Sequence, residues 1–180
     1  ISEESIIDFL NLRKGKLEGV VITGGEPTIH DDLEEFLKKI KEIGYKVKLD
    51  TNGTNPAMLN RLIKNRLIDY FAMDIKAPLS KYFLITGVSV PVNCITESIR
   101  IIMNSGIDYE FRTTVDKSIL TENDIREISE MIVNSERYFL QKLRIPDKMK
   151  SENSIDYKTD SDLVDYIVFR YSEIKEFGIR

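Results

Sequence analysis

Apolar positions along this chain switch between a helical spacing and short continuous runs. Over residues 2–14, Ile6, Phe9 and Leu10 recur at helical intervals, with Ser2 placed to cap and Glu3 and Glu4 in the first turn. Residues 19–23, GVVIT, form a β-branched run bounded by glycine, which predicts a buried strand. Residues 31–43 return to a helical repeat, with Leu33, Phe36, Leu37 and Ile40 on one face and Gly44 as the stop. Strands follow at 46–50, 67–74, 109–115 and 138–143. Helices follow at 56–65, 93–105, 121–133 and 161–177, the first opened by Asn55-Pro56 and the last closed by Gly178. Thr121 with Asp124 three residues on resembles a capping box.

This order is α(βα)₅. Strict alternation requires a parallel sheet with right-handed crossovers, hence an α/β fold. An open doubly wound sheet and a curved, barrel-like sheet both satisfy it. No internal linker divides residues 1–180, so a single domain is expected. The polar stretch 145–160 is expected to be a mobile surface loop.

Composition narrows the partners. The formal net charge is −4 and the pI about 5.2, against a nucleic-acid-binding face. No apolar run reaches the ~20 residues that a bilayer span needs. One cysteine, Cys94, permits no internal disulfide and suits a reducing compartment such as the cytoplasm.

In parallel α/β folds ligands gather where strands end. The first strand runs into Gly24-Gly25-Glu26-Pro27, the second into Asp50-Thr51-Asn52-Gly53, and the third into Asp74-Ile75-Lys76; the fourth carries Arg112. Two adjacent glycines let a ligand approach the backbone, and Pro27 keeps Glu26 out of a helical conformation. Asp74 and Lys76, two apart, leave one face together, as a salt bridge or as two halves of a polar site. Lys76 and Arg112 suit a carboxylate; Asp50 suits an amine, hydroxyl or cation. This mixture fits a zwitterion of amino-acid type better than a phosphate, and neither the P-loop nor the dinucleotide glycine spacing is present. His30 reads as a loop residue and Cys94 as a small packing residue. Tyr70, Phe71, Tyr82 and Phe83 read as packing aromatics.

The segments TGGEPTIHDDLEEFLKKIKEIGYKVKLDTNGTNP, DYFAMDIKAP and YEFRTTV together resemble the radical S-adenosylmethionine superfamily, over about residues 2–145. Within it they are similar to activating enzymes of glycyl-radical enzymes, of the anaerobic ribonucleoside-triphosphate reductase and pyruvate formate-lyase types. The resemblance implies a partial (β/α) barrel, here lacking its first strand, with S-adenosylmethionine in its mouth beside a [4Fe–4S] cluster. It implies that Gly24, Gly25, Glu26 and Pro27 contact the methionyl amino end. Asp50, Thr51 and Asn52 would lie near the ribose and methionyl part, and Asp74, Lys76 and Arg112 around the carboxylate. A monovalent cation at Asp50, Thr51 and Asp74 is a further implication. The implied partners are a glycyl-radical enzyme as protein substrate and a flavodoxin or ferredoxin as electron donor. The family's C-x-x-x-C-x-x-C cluster loop is not in this sequence, so these residues by themselves are expected to be inactive. Because the chain starts at Ile1 rather than Met, the expectation is that the cluster segment precedes it. A cluster-less binding or docking module is the alternative, and Lys76 as a Schiff-base nucleophile a weaker third reading.

Overall fold

A computed structural model describes residues 1–87, 89, 91–116, 118–143, 174 and 176–179. The chain forms two compact units, Ile1–Met73 with Pro91–Tyr109, and Asp74–Val90 with Glu110–Arg180.

The first unit begins with α1 (Glu3–Leu12), whose start is capped when Ser2 Oγ accepts the Ser5 N–H. Leu10 is buried, and its carbonyl accepts the Tyr45 hydroxyl at 2.7 Å, fixing α1 against the chain that enters the second strand. Three parallel strands follow in the order β1 (Gly19–Ile22), β2 (Lys46–Thr51), β3 (Tyr70–Asp74). In β2 the alternation is strict: Val47, Leu49 and Thr51 are buried, whereas Lys46, Lys48 and Asp50 face the other way. Between the strands run α2 (Leu33–Ile43), which buries Leu33, Leu37 and Ile40, and α3 (Pro56–Lys64), which buries Met58, Leu59 and Leu62. Gly44 ends α2 at φ 105°, the left-handed conformation that favours glycine. Asn55 caps α3 by accepting the Met58 N–H, with Pro56 in the first turn. A further helix, α5 (Val92–Met103), packs on α3 through Ile95, Ser98, Ile99 and Ile102.

In the second unit β4 (Asp108–Val115) and β5 (Arg137–Lys142) are parallel, with Phe111 opposite Tyr138 and Thr113 opposite Leu140. The capping box expected at Thr121 and Asp124 opens α6 (Glu122–Met131). Lys81 reaches Asp124 at 2.8 Å. The short helix α4 (Tyr82–Thr86) was not apparent from periodicity, since five residues are too few to show a repeat.

Three expectations change. Val21 is 54% exposed and Gly19 is exposed as well, so β1 is not a buried strand. β-branched residues fit any pleated, half-buried strand, whereas full burial needs a covering layer on both faces. Phe83 is exposed rather than packed, while Tyr82 and Phe71 are buried as expected. The end of the helix expected over 161–177 is instead β6 (Glu176–Ile179), parallel to β5, with Gly178 inside the strand. A Cβ on Gly178 would stand 3.2 Å from the Phe139 ring, so the glycine serves a close approach and not a helix stop. The rest of that helix and the loop expected over 145–160 lie outside the described residues.

Candidate functional site

In the first unit the turn after β1 is shaped by Gly24 and Gly25, at φ 101° and 57°. Neither glycine is crowded, so backbone conformation and not space selects them. Glu26 is extended, as the following proline requires, and Pro27 starts a 3₁₀ turn to Ile29. The Glu26 side chain then folds back into the protein. Its Oε1 accepts the Thr28 N–H at 3.1 Å, the Thr28 hydroxyl at 2.5 Å and the Thr51 hydroxyl at 2.8 Å. Its Oε2 accepts the Asn52 N–H at 2.6 Å. A buried carboxylate with four N–H and O–H donors is well satisfied, and it fastens the turn after β1 to the turn after β2.

The second turn is tied in the same way. Thr51 Oγ1 accepts the Gly53 N–H, and Asn52 Oδ1 accepts both the N–H and the hydroxyl of Thr54. Ser98 of α5 donates to the Gly53 carbonyl at 2.7 Å. Asp50 and Thr51 are neighbours on β2 and so leave opposite faces. Lys48 Nζ lies 3.7 Å from Asp50 Oδ1 and 5.4 Å from the centre of the Tyr70 ring. The Thr51 hydroxyl donates to Glu26 and accepts the Gly53 N–H. Among the described residues no group of three or more His, Cys, Asp or Glu side chains is placed to hold a metal ion.

In the second unit Asp74, Lys76 and Arg112 converge. Lys76 Nζ is 2.8 Å from Asp74 Oδ2, and Arg112 Nε donates to Asp74 Oδ1 at 2.9 Å. Arg112 is the most enclosed of the three and also lies 3.9 Å from Glu110. The sequence left open whether Asp74 and Lys76 form a salt bridge or a ligand site; the pair is bonded, and the carboxylate held by both cations is Asp74's own. Above the pair, Tyr82 Oη accepts the Lys76 N–H at 3.3 Å. Burial raises the Tyr82 hydroxyl to a pKa of about 12, the Lys76 N–H partly offsetting it.

Of the residues expected from sequence, the structure joins Glu26 with Thr51 and Asn52, and Asp74 with Lys76 and Arg112. Sequence reasoning missed Thr28 and Asn55. Thr28 is fully buried and gives Glu26 two of its four donors, and Asn55 Nδ2 donates to the Thr28 carbonyl at 2.7 Å. The G-G-E-P-T run contained the signal for Thr28, since a hydroxyl two residues past an extended Glu is in reach of its carboxylate. A separate cavity of about 390 Å³ at the N-terminal ends of β1 to β3 is lined by Lys46, Lys48, Asp69 and Tyr70 among others. It contains none of the expected site residues, and the strand-end chemistry lies elsewhere.

A glycine turn and a carboxylate-pinned loop in the first unit, and a cation pair on Asp74 in the second, put polar chemistry at strand ends of an α/β protein. The family model of the radical SAM superfamily matches residues 2–132, and the chain belongs to that superfamily. A Methanocaldococcus jannaschii protein named "Putative glycyl-radical enzyme activating enzyme MJ1227" is 35% identical over 152 residues, 81% of this chain and 61% of that protein. The chain therefore spans about three fifths of the length of such curated relatives. A domain of pyruvate-formate lyase-activating enzyme from Bacteroides vulgatus superposes with TM-score 0.68 at 22% identity, over 90% of this chain and 99% of that one. Streptococcus suis SuiB bound to S-adenosylmethionine gives TM-score 0.74 at 17% identity, over all of this chain and 42% of that one. The fold is the α/β, partial-barrel-like fold of this superfamily, whose members use S-adenosylmethionine and a [4Fe–4S] cluster.

The residues present fit one of these groups and not the other. Lys76 and Arg112, gathered on one carboxylate within the second unit, have the charge to meet a carboxylate such as the methionyl end carries. The cluster needs several thiolates, and the one cysteine, Cys94, is half-buried within α5. The cluster's ligands are not among these 180 residues, and no step at the cluster is assigned to them. No described helix is long and apolar enough to cross a membrane.

Proposed function

We propose that this chain is the S-adenosylmethionine-holding part of an enzyme that activates a glycyl-radical enzyme, of the type that serves anaerobic ribonucleotide reductase. The observation that carries the reading is the pair Lys76 and Arg112 assembled on Asp74 at the end of β3. A methionyl carboxylate can share or take over that partner without either cation leaving its place. The Gly24–Gly25 backbone meets the amino end, and Asp50 and Asn52 meet the ribose. Glu26 and Thr51 act one step back, holding the two turns in shape. A [4Fe–4S] cluster held elsewhere in the protein would supply the electron for radical chemistry on S-adenosylmethionine, and the residues of this chain would hold and orient that cofactor. The protein's own share is binding, orientation and exclusion of water. The substrate is a glycine presented by a partner protein, and the electron comes from a flavodoxin or ferredoxin, in the cytoplasm. The name of the M. jannaschii relative supports the partner class.

The test is to reconstitute iron and sulfide on the full-length gene product, add a reductant and assay 5′-deoxyadenosine. Product is expected; none from a fully loaded cluster defeats the reading. The lone Cys94 favours a second reading, a module that binds a partner or S-adenosylmethionine without chemistry. A C-x-x-x-C-x-x-C sequence upstream of Ile1 would end it.

A further inference from the structure

Asp74 and Lys76 are separated by one residue, Ile75, which is fully buried. Three backbone groups of this step, the Ile75 N–H and carbonyl and the Lys76 N–H, are tied within the second unit. The Ile75 N–H donates to the Arg112 carbonyl at 2.8 Å. The Lys76 N–H donates to Tyr82 Oη. The Ile75 carbonyl accepts the Thr113 hydroxyl at 2.9 Å, and Thr113 Oγ1 in turn accepts the Tyr138 hydroxyl at 2.9 Å. Thr113 and Tyr138 are both fully buried. Burial holds the Tyr138 hydroxyl far above its ordinary pKa, so it remains a donor wherever the protein is folded. Thr113 follows Arg112 on β4, so the two side chains leave opposite faces. Arg112 points to the Asp74 carboxylate, while Thr113 grips from behind the strand end that carries it. A site is reproducible only when its first contacts are locked by a second layer of bonds.

We propose that Thr113 and Tyr138 are positioning residues for the S-adenosylmethionine site. Their hydroxyls form a buried relay, Tyr138 to Thr113 to the Ile75 carbonyl. The relay sets the direction in which Asp74 and Lys76 leave β3. Neither hydroxyl touches the ligand. This rests on the reading of Asp74, Lys76 and Arg112 as the holders of the methionyl carboxylate. It adds that a buried polar pair on the next two strands, Thr113 on β4 and Tyr138 on β5, decides how well they hold it. A purely structural relay would stabilise the fold and leave ligand preference alone. A positioning relay affects only ligands that carry the methionyl end.

The test compares two probes by calorimetric titration on the intact gene product: S-adenosylmethionine, and 5′-deoxyadenosine, which lacks the methionyl end. Thr113→Val is expected to weaken S-adenosylmethionine about tenfold, the scale of one lost buried hydrogen bond, and to leave 5′-deoxyadenosine within about twofold. Thr113→Ser keeps the hydroxyl and should restore both affinities to near the parent's. Tyr138→Phe keeps the Thr113–Ile75 bond and should weaken S-adenosylmethionine by a smaller factor, about threefold. It also carries the test should Thr113→Val not fold. Lys76→Ala is the reference. If it weakens S-adenosylmethionine while Thr113→Val and Tyr138→Phe weaken both probes alike, or neither, the relay proposal is overturned and the site reading stands. If Lys76→Ala leaves S-adenosylmethionine binding intact, the site reading fails, and the relay has nothing to position.

Discussion

Two carboxylates, Glu26 in the first unit and Asp74 in the second, sit at strand ends and are held in opposite ways. Glu26 is buried and surrounded by neutral donors, two N–H groups and two hydroxyls, all from its own and the next turn. Asp74 is a quarter exposed and held by two side-chain cations. Two backbone N–H groups and two short, buried hydroxyls have little freedom to change partner, so Glu26 is part of the frame. Cations on long side chains can change partner, so on the proposed reading the Asp74 arrangement can open to a ligand carboxylate. An acidic residue beside a glycine turn is therefore not by its position a ligand contact; its donors decide.

The strongest way to break this comparison is Glu26→Ala. It strands the Thr28 and Asn52 N–H groups and the Thr51 hydroxyl, and should lower stability by about 2–5 kcal/mol in denaturant unfolding. Glu26→Gln should lie between, because its amide turns one acceptor into a donor that faces donors. An unchanged unfolding midpoint for Glu26→Ala would remove Glu26 from the frame.

Lys76→Ala should act the other way. S-adenosylmethionine binding is expected to weaken by about 1–3 kcal/mol, the range for a charge-assisted contact, with little change in melting temperature. Lys76 is 40% exposed on its side chain and contributes little packing. Normal affinity with a lowered melting temperature would instead make Asp74–Lys76 a structural pair.

A smaller effect belongs to Asp124, a third carboxylate that combines both modes of holding. Burial pushes its carboxyl up, but Lys81, the Thr121 N–H and the Thr121 hydroxyl outweigh it and hold it below the usual range. A depressed folded-state pKa contributes stability that is fully present above the unfolded value, about 3.9, and is lost as pH falls through the folded value. Melting curves of the parent should thus fall away below about pH 4. Those of Asp124→Asn should start lower at neutral pH and fall less steeply. Parallel curves for the two would show that Asp124 does not contribute to the acid limb. The least effect is expected at Glu34–Lys38, an i,i+4 pair on α2 whose lysine is half exposed. Lys38→Ala should leave the melting temperature unchanged, and any clear drop would show that surface pairs matter more here than the buried carboxylates suggest.

Much of the architecture was readable from local chemistry. Gly44 after an amphipathic repeat, Asn55 before Pro56, and Thr121 three residues before Asp124 each act within one helical turn, and each appears as read. The same holds for the glycine turn after β1, whose φ values depend only on the residues themselves. Contacts across long separations were not readable. Glu26 meets Thr51 and Asn52 across 25 and 26 residues, and Arg112 meets Asp74 across 38. Those distances are set by strand register and by the lengths of the intervening helices, which no short window contains.

The sequence by itself determined the α/β alternation, the strand ends that carry polar chemistry, the caps, and through its motifs the superfamily. The tertiary structure decided that Glu26 is held by neutral donors and Asp74 by two cations, that Val21 faces outward, and that residues 176–179 pair with β5 as a strand. It also decided that Thr113 and Tyr138 lie behind the Asp74–Lys76 step. The physical reason is one of range. Backbone preference and capping are fixed by neighbours within about four residues, whereas burial and the pairing of a charge depend on which strand lies alongside.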